Sequence, residues 1–226
     1  MSAQVFANRQ ALADEIARRL AHVPCAVLAI DGRCGSGKTT LAALLAQTLP
    51  CRVVHMDDFY LPFAARRPDW RTTPLGNMDL GRLRREVLEP ARLGEEIAYH
   101  AYDCPHDALR PALLLPPRPL TVVEGSYSLA PALRPYYDLT VFLTCSQAEQ
   151  AARLQAREGA YYPAFPACWW SCDGGVDGGR RGWGARPGYG AGNLRRAEER
   201  PLRRTRQAVG QHAPACGRGS LRAHGE

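Results

Sequence analysis

Lysine is almost absent from this sequence: Lys38 stands alone against twenty-eight arginines in 226 residues. A compact ammonium on a flexible stem is kept at one place in a chain that otherwise uses the planar guanidinium, so that place is marked before any motif is read. Long apolar runs are missing too, and none is long enough to span a bilayer. The first twenty residues carry acids and lack the basic start, apolar middle and small-residue cleavage site of an export signal. The expected location is therefore cytoplasmic. The eight cysteines include no C-x-x-C pair, which argues for reduced thiols and against a zinc site. Most of the chain also lacks excess charge. The net +7 resides in residues 174–226, where eleven arginines face four acids; residues 1–173 balance eighteen basic against eighteen acidic side chains. The body thus gives no electrostatic reason to expect nucleic acid or membrane as a partner.

What is present is organised around the lone lysine. The apolar run 26–30 leads through Asp31 into Gly32-Arg33-Cys34-Gly35-Ser36-Gly37-Lys38-Thr39-Thr40, and then into the helical pattern Leu41-Ala42-Ala43-Leu44-Leu45-Ala46. Gly32 to Thr39 fits G-x-x-x-x-G-K-[ST], the phosphate-binding P-loop, with a strand before it and a helix after it. The glycines let the backbone wrap closely, and the loop N–H groups and the helix N-terminus then face phosphate oxygens. Lys38 can reach the β- and γ-phosphates of a nucleotide, and the Thr39 hydroxyl can ligate Mg²⁺.

The pattern around the loop is that of an α/β chain. Residues 4–21 read as an amphipathic helix, 25–31 as the first strand, 38–49 as the next helix and 52–56 as a short second strand. Chemistry in open α/β sheets collects at the carboxyl ends of strands, so the end of the second strand is expected beside the P-loop. Asp57 stands there, with Asp58 second, able to accept a proton from an attacking hydroxyl or to hold Mg²⁺ through water; the alternative is a pair of solvated loop acids. Residues 63–77, polar and rich in Arg and Pro with Trp70, read as a loop over the site. Residues 79–93 read as a helix, with Asp79 as its cap or as a substrate contact. Tyr99 and Tyr102 could pack or could stack on a ring-shaped ligand. The run 120–125 is a buried-type strand ending in Glu124, the Walker-B arrangement in which the acid holds Mg²⁺ or its water. A strand at 139–143 follows, with Ser146 as N-cap of a helix at 147–157 that carries Arg153 and Arg157 four apart on one face.

Taken together, Gly32 to Thr40, His55-Met56-Asp57-Asp58-Phe59-Tyr60, Asn77-Met78-Asp79, Tyr102-Asp103, Val122-Val123-Glu124-Gly125 and Arg153-Leu154-Gln155-Ala156-Arg157 resemble the uridine kinase / phosphoribulokinase family of P-loop kinases, over residues 20–162 and in the right order. The resemblance implies a mostly parallel sheet flanked by helices, and transfer of phosphate from ATP, with Mg²⁺, to a hydroxyl of a small metabolite. It implies that Asp57 is the general base and Lys38 its catalytic partner on the phosphates. The ATP loop would be Gly32, Arg33, Cys34, Gly35, Ser36, Gly37, Lys38, Thr39 and Thr40. Thr39 and Glu124 would form the Mg²⁺ side, Tyr60, Asp79, Tyr102 and Asp103 the substrate contacts, and Arg153 and Arg157 the start of a lid. A nucleoside of the uridine or cytidine type is the first expectation for the acceptor, another sugar or vitamin hydroxyl the alternative, and a homo-oligomer is compatible with the family.

After residue 165 the chain changes character. From Gly174 onward thirteen residues are glycine and eleven arginine, with few aliphatic side chains to offset the entropy of ordering. The domain organisation expected is a P-loop kinase domain at 1–165, incomplete at its C-terminal end, and a Gly/Arg-rich low-complexity tail at 166–226. The abrupt change is what out-of-frame GC-rich coding sequence would give, and it predicts a reading-frame shift near Phe165. The rival reading is an RNA-binding Arg/Gly tail. If the frame is shifted, the chain binds nucleotide but is catalytically impaired, because the lid and last strand of the sheet are not encoded.

Overall fold

A computed structural model describes residues 4–6, 8–70, 73–158 and 194–199. Its main sheet has six strands: β1 (Gln4–Phe6), β2 (Ala26–Gly32), β3 (Cys51–His55), β6 (Leu120–Glu124), β7 (Leu139–Leu143) and β8 (Leu194–Glu199). They lie in the order β1–β8–β7–β2–β6–β3. β7, β2, β6 and β3 are parallel, while β8 runs antiparallel to both β7 and β1. A separate antiparallel pair, β4 (Ile97–Asp103) and β5 (Ala108–Leu115), stands beside it.

Alternation along β2 explains why its sequence is continuously apolar. Val27 and Ala29 belong to one core, Ala26, Leu28 and Ile30 to the other, and every residue of the strand is buried. On the second face lie α1 (Arg9–Leu20) and α2 (Lys38–Thr48). α1 turns Leu12, Ala13 and Ile16 inward, and the Asn8 side chain caps it by accepting from the Ala11 N–H at 2.9 Å. Burying Leu12 and Ile16 is worth about 1.5–3 kcal/mol each, against about 1 kcal/mol for the cap, so packing holds this helix. On the opposite face a helical run from Leu80 to Leu93 supplies Leu83, Val87, Leu88 and Ala91.

That run is the helix expected at 79–93, with one irregularity. Leu80–Leu83 (α3) and Glu89–Leu93 (α4) are α-helical, but Arg84–Leu88 between them is a π turn. Pro90 has no N–H to donate back to residue 86, and its ring crowds that carbonyl, so the turn before it widens. Gly94, at φ 73°, ends the run, with its N–H on Ala91 O and that of Glu95 on Pro90 O.

Two expectations need correction, the start of the first helix and the neighbour of the second strand, and two further strands stand where none was expected. Residues 4–6 form an edge strand, so the first helix begins only at Arg9. β5 was not legible, because all of it but Leu115 is exposed and it carries no alternation of burial. Within the segment read as tail, Leu194–Glu199 forms β8. Finally, β3 is not adjacent to β2; β6 lies between them. The proposed frame change near Phe165 and the remainder of the tail lie outside the described residues.

Candidate functional site

The parallel strands end level with one another. Glu124 at the end of β6 is paired with Ile30 of β2 on one side and with His55 of β3 on the other. One row of the sheet therefore carries the approach to the glycine loop, a carboxylate and an imidazole. Beyond this row the chain turns sharply on both sides. Gly32 has φ 145°, and a Cβ there would lie 2.1 Å from the Leu143 carbonyl oxygen; Gly125 has φ 140°, and a Cβ would meet that of Met56 at 2.6 Å. Only glycine permits these close passes.

The loop of residues 32–37 then delivers Lys38 to the start of α2. Gly35 and Gly37 also have positive φ, as the motif requires. The Lys38 ammonium lies in the bowl of the loop and donates to Gly32 O at 2.7 Å and Arg33 O at 3.0 Å, with Ser126 Oγ at 3.5 Å. The Ser36 hydroxyl is buried in the loop without a protein partner, an unmet polar group of the kind a phosphate oxygen satisfies. Arg33 and Cys34 line the loop half-buried, and Thr40 is exposed on the first turn of α2.

Glu124 is buried, and its Oε1 accepts from the Thr39 hydroxyl at 3.0 Å while lying 2.7 Å from His55 Nδ1. Three elements, α2, β6 and β3, thus converge on one oxygen. The hydrogen bond to Glu124 pushes the His55 pKa above its ordinary value, against the opposing effect of burial. Hard oxygen donors suit Mg²⁺, which takes one or two protein ligands and completes its shell with water and phosphate. Thr39 and Glu124 fit that pattern. Among the described residues no group of three or more His, Cys, Asp or Glu side chains forms a self-sufficient metal cage.

The turn after β3, Met56–Phe59, separates the two neighbouring acids. Asp57 is exposed, and its Oδ1 accepts from the Tyr60 hydroxyl at 3.1 Å. Burial, followed by the charge of Asp57, raises the Tyr60 pKa, which keeps that hydroxyl a donor. Asp58 is turned the other way: its Oδ2 accepts from the Tyr99 hydroxyl at 2.8 Å, and the Tyr99 ring stacks on Phe59 at 5.3 Å. Of the two candidate bases, Asp57 is the one left facing outward.

The expected substrate contacts divide. Tyr60 stays beside Asp57. The Asp79 carboxylate caps α3, with Oδ1 accepting from the Arg82 N–H at 2.9 Å and Oδ2 lying 3.8 Å from Arg82 Nε, so the capping alternative is the one the geometry favours. Asp103 is held by Arg110 and His106, each at 3.1 Å, and the Arg110 bond leads in depressing its pKa. Tyr102 donates to Asp107 at 2.6 Å and accepts from Arg66 at 3.2 Å. Asp107 also accepts from the Phe63 N–H at 2.8 Å and so ties the loop after Tyr60 to the β4–β5 turn. Arg66, a residue the sequence did not single out, lies over the rings of Phe63 at 4.1 Å and Trp70 at 4.9 Å, with Tyr102 and Tyr60 at 5.6 and 5.9 Å.

Helix α5 (Gln147–Glu158) begins at a capping box in which Ser146 Oγ accepts from the Glu149 N–H and Glu149 accepts from the Ser146 N–H. Both of its expected lid arginines reach the loop: Arg153 donates to Gly35 O at 3.1 Å and Arg157 to Cys34 Sγ at 3.5 Å.

One buried acid escaped the sequence reading. Asp31 accepts from the Gly32 N–H at 2.6 Å with Oδ1 and from the Leu129 N–H at 2.9 Å with Oδ2, joining the loop to the segment after β6. Burial raises its pKa against these bonds. The signal was available, since a lone acid in an apolar strand is the same argument that marked Glu124. Asp31→Asn is expected to lower the unfolding free energy by about 1–3 kcal/mol in a denaturant titration, because the new amide turns an NH₂ toward one backbone donor.

No protein-family model matches the chain, and no curated protein matches it in sequence. Solved structures do match. A protein provisionally named as a fructose transport system kinase from Silicibacter sp. TM1040 is 28% identical over 74% of this chain and 91% of its own, with a TM-score of 0.59. A protein described as a possible uridine kinase from Bacillus stearothermophilus is 23% identical over 69% of this chain and 92% of its own, with a TM-score of 0.51. Among the described residues no helix is long and apolar enough to cross a membrane.

Proposed function

We propose that this chain, a P-loop kinase of the uridine kinase / phosphoribulokinase family, transfers the γ-phosphoryl group of ATP to a hydroxyl of a small metabolite. The observation that carries the reading is the convergence of Thr39 and His55 on Glu124 Oε1, which joins the loop of Lys38 to the strand end that bears Asp57. Lys38 and the loop N–H groups neutralise and orient the phosphates. Thr39 and Glu124 would hold Mg²⁺, which would supply charge neutralisation to the phosphates when bound. Asp57 takes the proton of the acceptor hydroxyl, and Tyr60 fixes the carboxylate that receives it. Arg153 and Arg157 bring positive charge to the rim of the loop.

A nucleoside of the uridine or cytidine type is the acceptor that the run Asp57-Asp58-Phe59-Tyr60 suggests. A ketohexose is the second reading, favoured by the name of the 28%-identical neighbour. An ADP-release assay with ATP and Mg²⁺ over uridine, cytidine and D-fructose tests both. The expected result is ADP formed only with one acceptor class. ATP binding in calorimetry without turnover on any acceptor would replace this reading with that of an impaired nucleotide-binding protein.

A further inference from the structure

The turn that carries Asp57 is built around a buried guanidinium. Arg82 is 5% exposed. Its Nη2 donates to Asp58 O at 2.8 Å, its Nη1 donates to His100 O on β4, and its guanidinium lies over the Phe59 ring at 4.8 Å. Two carboxylates, Asp79 and Glu86, each lie 3.8 Å from it and balance the buried charge. Phe59 is thus in contact with Arg82 and with the Tyr99 ring, and its carbonyl accepts from the Asp79 N–H at 2.8 Å. Asp58 is fixed twice, at its carbonyl by Arg82 and at its carboxylate by Tyr99. These bonds tie Asp58 and Phe59 to α3, to its N-cap Asp79 and to β4. Asp57, one residue earlier, has the Tyr60 hydroxyl as the one hydrogen-bond partner of its carboxylate among the described residues, so its aim is set by the turn together with that single bond.

We infer that Arg82 is a positioning residue for the base: it clamps the Asp58–Phe59 backbone and thereby sets where the Asp57 carboxylate stands relative to the acceptor hydroxyl. The inference rests on the phosphotransfer reading for its kinetic consequence, but the clamp itself is a property of the turn. A misplacement of about 1 Å at a reacting group costs on the order of a hundredfold in rate. A loosened turn averages over such positions.

The test uses the full chain with Arg82→Lys, which keeps the charge but cannot span both carbonyls, and Tyr99→Phe, which keeps the ring stack and loses only the bond to Asp58. Expected are falls in kcat of about tenfold and about fivefold, with KM for ATP unchanged within twofold, since the phosphate loop is on other elements. The double variant is expected to lose less than the product of the two, because both act on one residue. Hydrogen exchange provides a readout without turnover: amides of residues 57–60 are expected to exchange about tenfold faster in each variant, with those of 32–39 unchanged. Unaltered exchange at 57–60, or a KM for ATP that rises in step with the loss of kcat, overturns the inference. A wild-type chain that transfers to no acceptor sinks the phosphotransfer reading instead, and the exchange measurement then decides the clamp on its own.

Discussion

Lys38→Ala is expected to lower kcat/KM for ATP by about a hundredfold to a thousandfold at saturating acceptor, the scale on which removing one preorganised electrostatic contact acts. The ammonium sits within 3.0 Å of two loop carbonyls and is the one lysine of the chain. The guanidiniums of Arg153 and Arg157 bond the loop at its rim, at Gly35 O and Cys34 Sγ, rather than at those two carbonyls. Lys38→Arg is expected to restore less than a tenth of the loss. A planar fork with five donors cannot occupy a bowl closed by Gly32 O, Arg33 O and Ser126 Oγ without pushing the loop outward. The thermal midpoint is expected to stay within about 3 °C, because Lys38 is only half-buried and packs no core. Steady-state kinetics with a melting curve on the same preparations separates the two effects. Full retention of kcat/KM in Lys38→Ala would mean that the loop does not hold the transferred phosphate.

The loop was legible because its chemistry is local: glycines at positive φ, a lysine and a hydroxyl follow one another within eight residues. Glu124 was legible for a related reason, since a carboxylate closing an apolar strand has to be explained by a partner. What the sequence did not show is set by tertiary contacts. His55 acquires its place from register, because β3 pairs with β6 so that residue 55 falls opposite 124. The order β2–β6–β3 puts a strand between the loop and the Asp57 turn, which chain order alone had placed side by side. Arg82 reads as one more basic residue on a helix until Phe59, His100 and Asp58 close around it. Asp79 shows the reverse: its position in an Asn-Met-Asp motif suggested a substrate contact, and local capping, the simpler of its two roles, is the one its bond to Arg82 N–H displays.

Asp57→Asn is expected to lower kcat by about a hundredfold to ten-thousandfold, the contribution of a positioned general base, while KM for ATP changes by less than twofold. The amide is nearly isosteric and can keep the Tyr60 bond at its oxygen, so the loss reports the missing proton acceptor rather than a displaced turn. Asp58→Asn is the matched comparison. Its carboxylate is turned inward to Tyr99, and losing the charge there is expected to cost about 1.5–3 kcal/mol of stability with kcat reduced less than tenfold. The two neighbours therefore exchange signatures: one variant is stable and inactive, the other active and less stable. Viscosity variation on the wild type guards against a false negative, because a kcat limited by product release would mask part of the Asp57 effect. Equal losses from the two variants would show that the turn, rather than the carboxylate of Asp57, is what the reaction requires. That result would move the general base elsewhere on the strand ends, with Glu124 and His55 as the remaining titratable groups in the row.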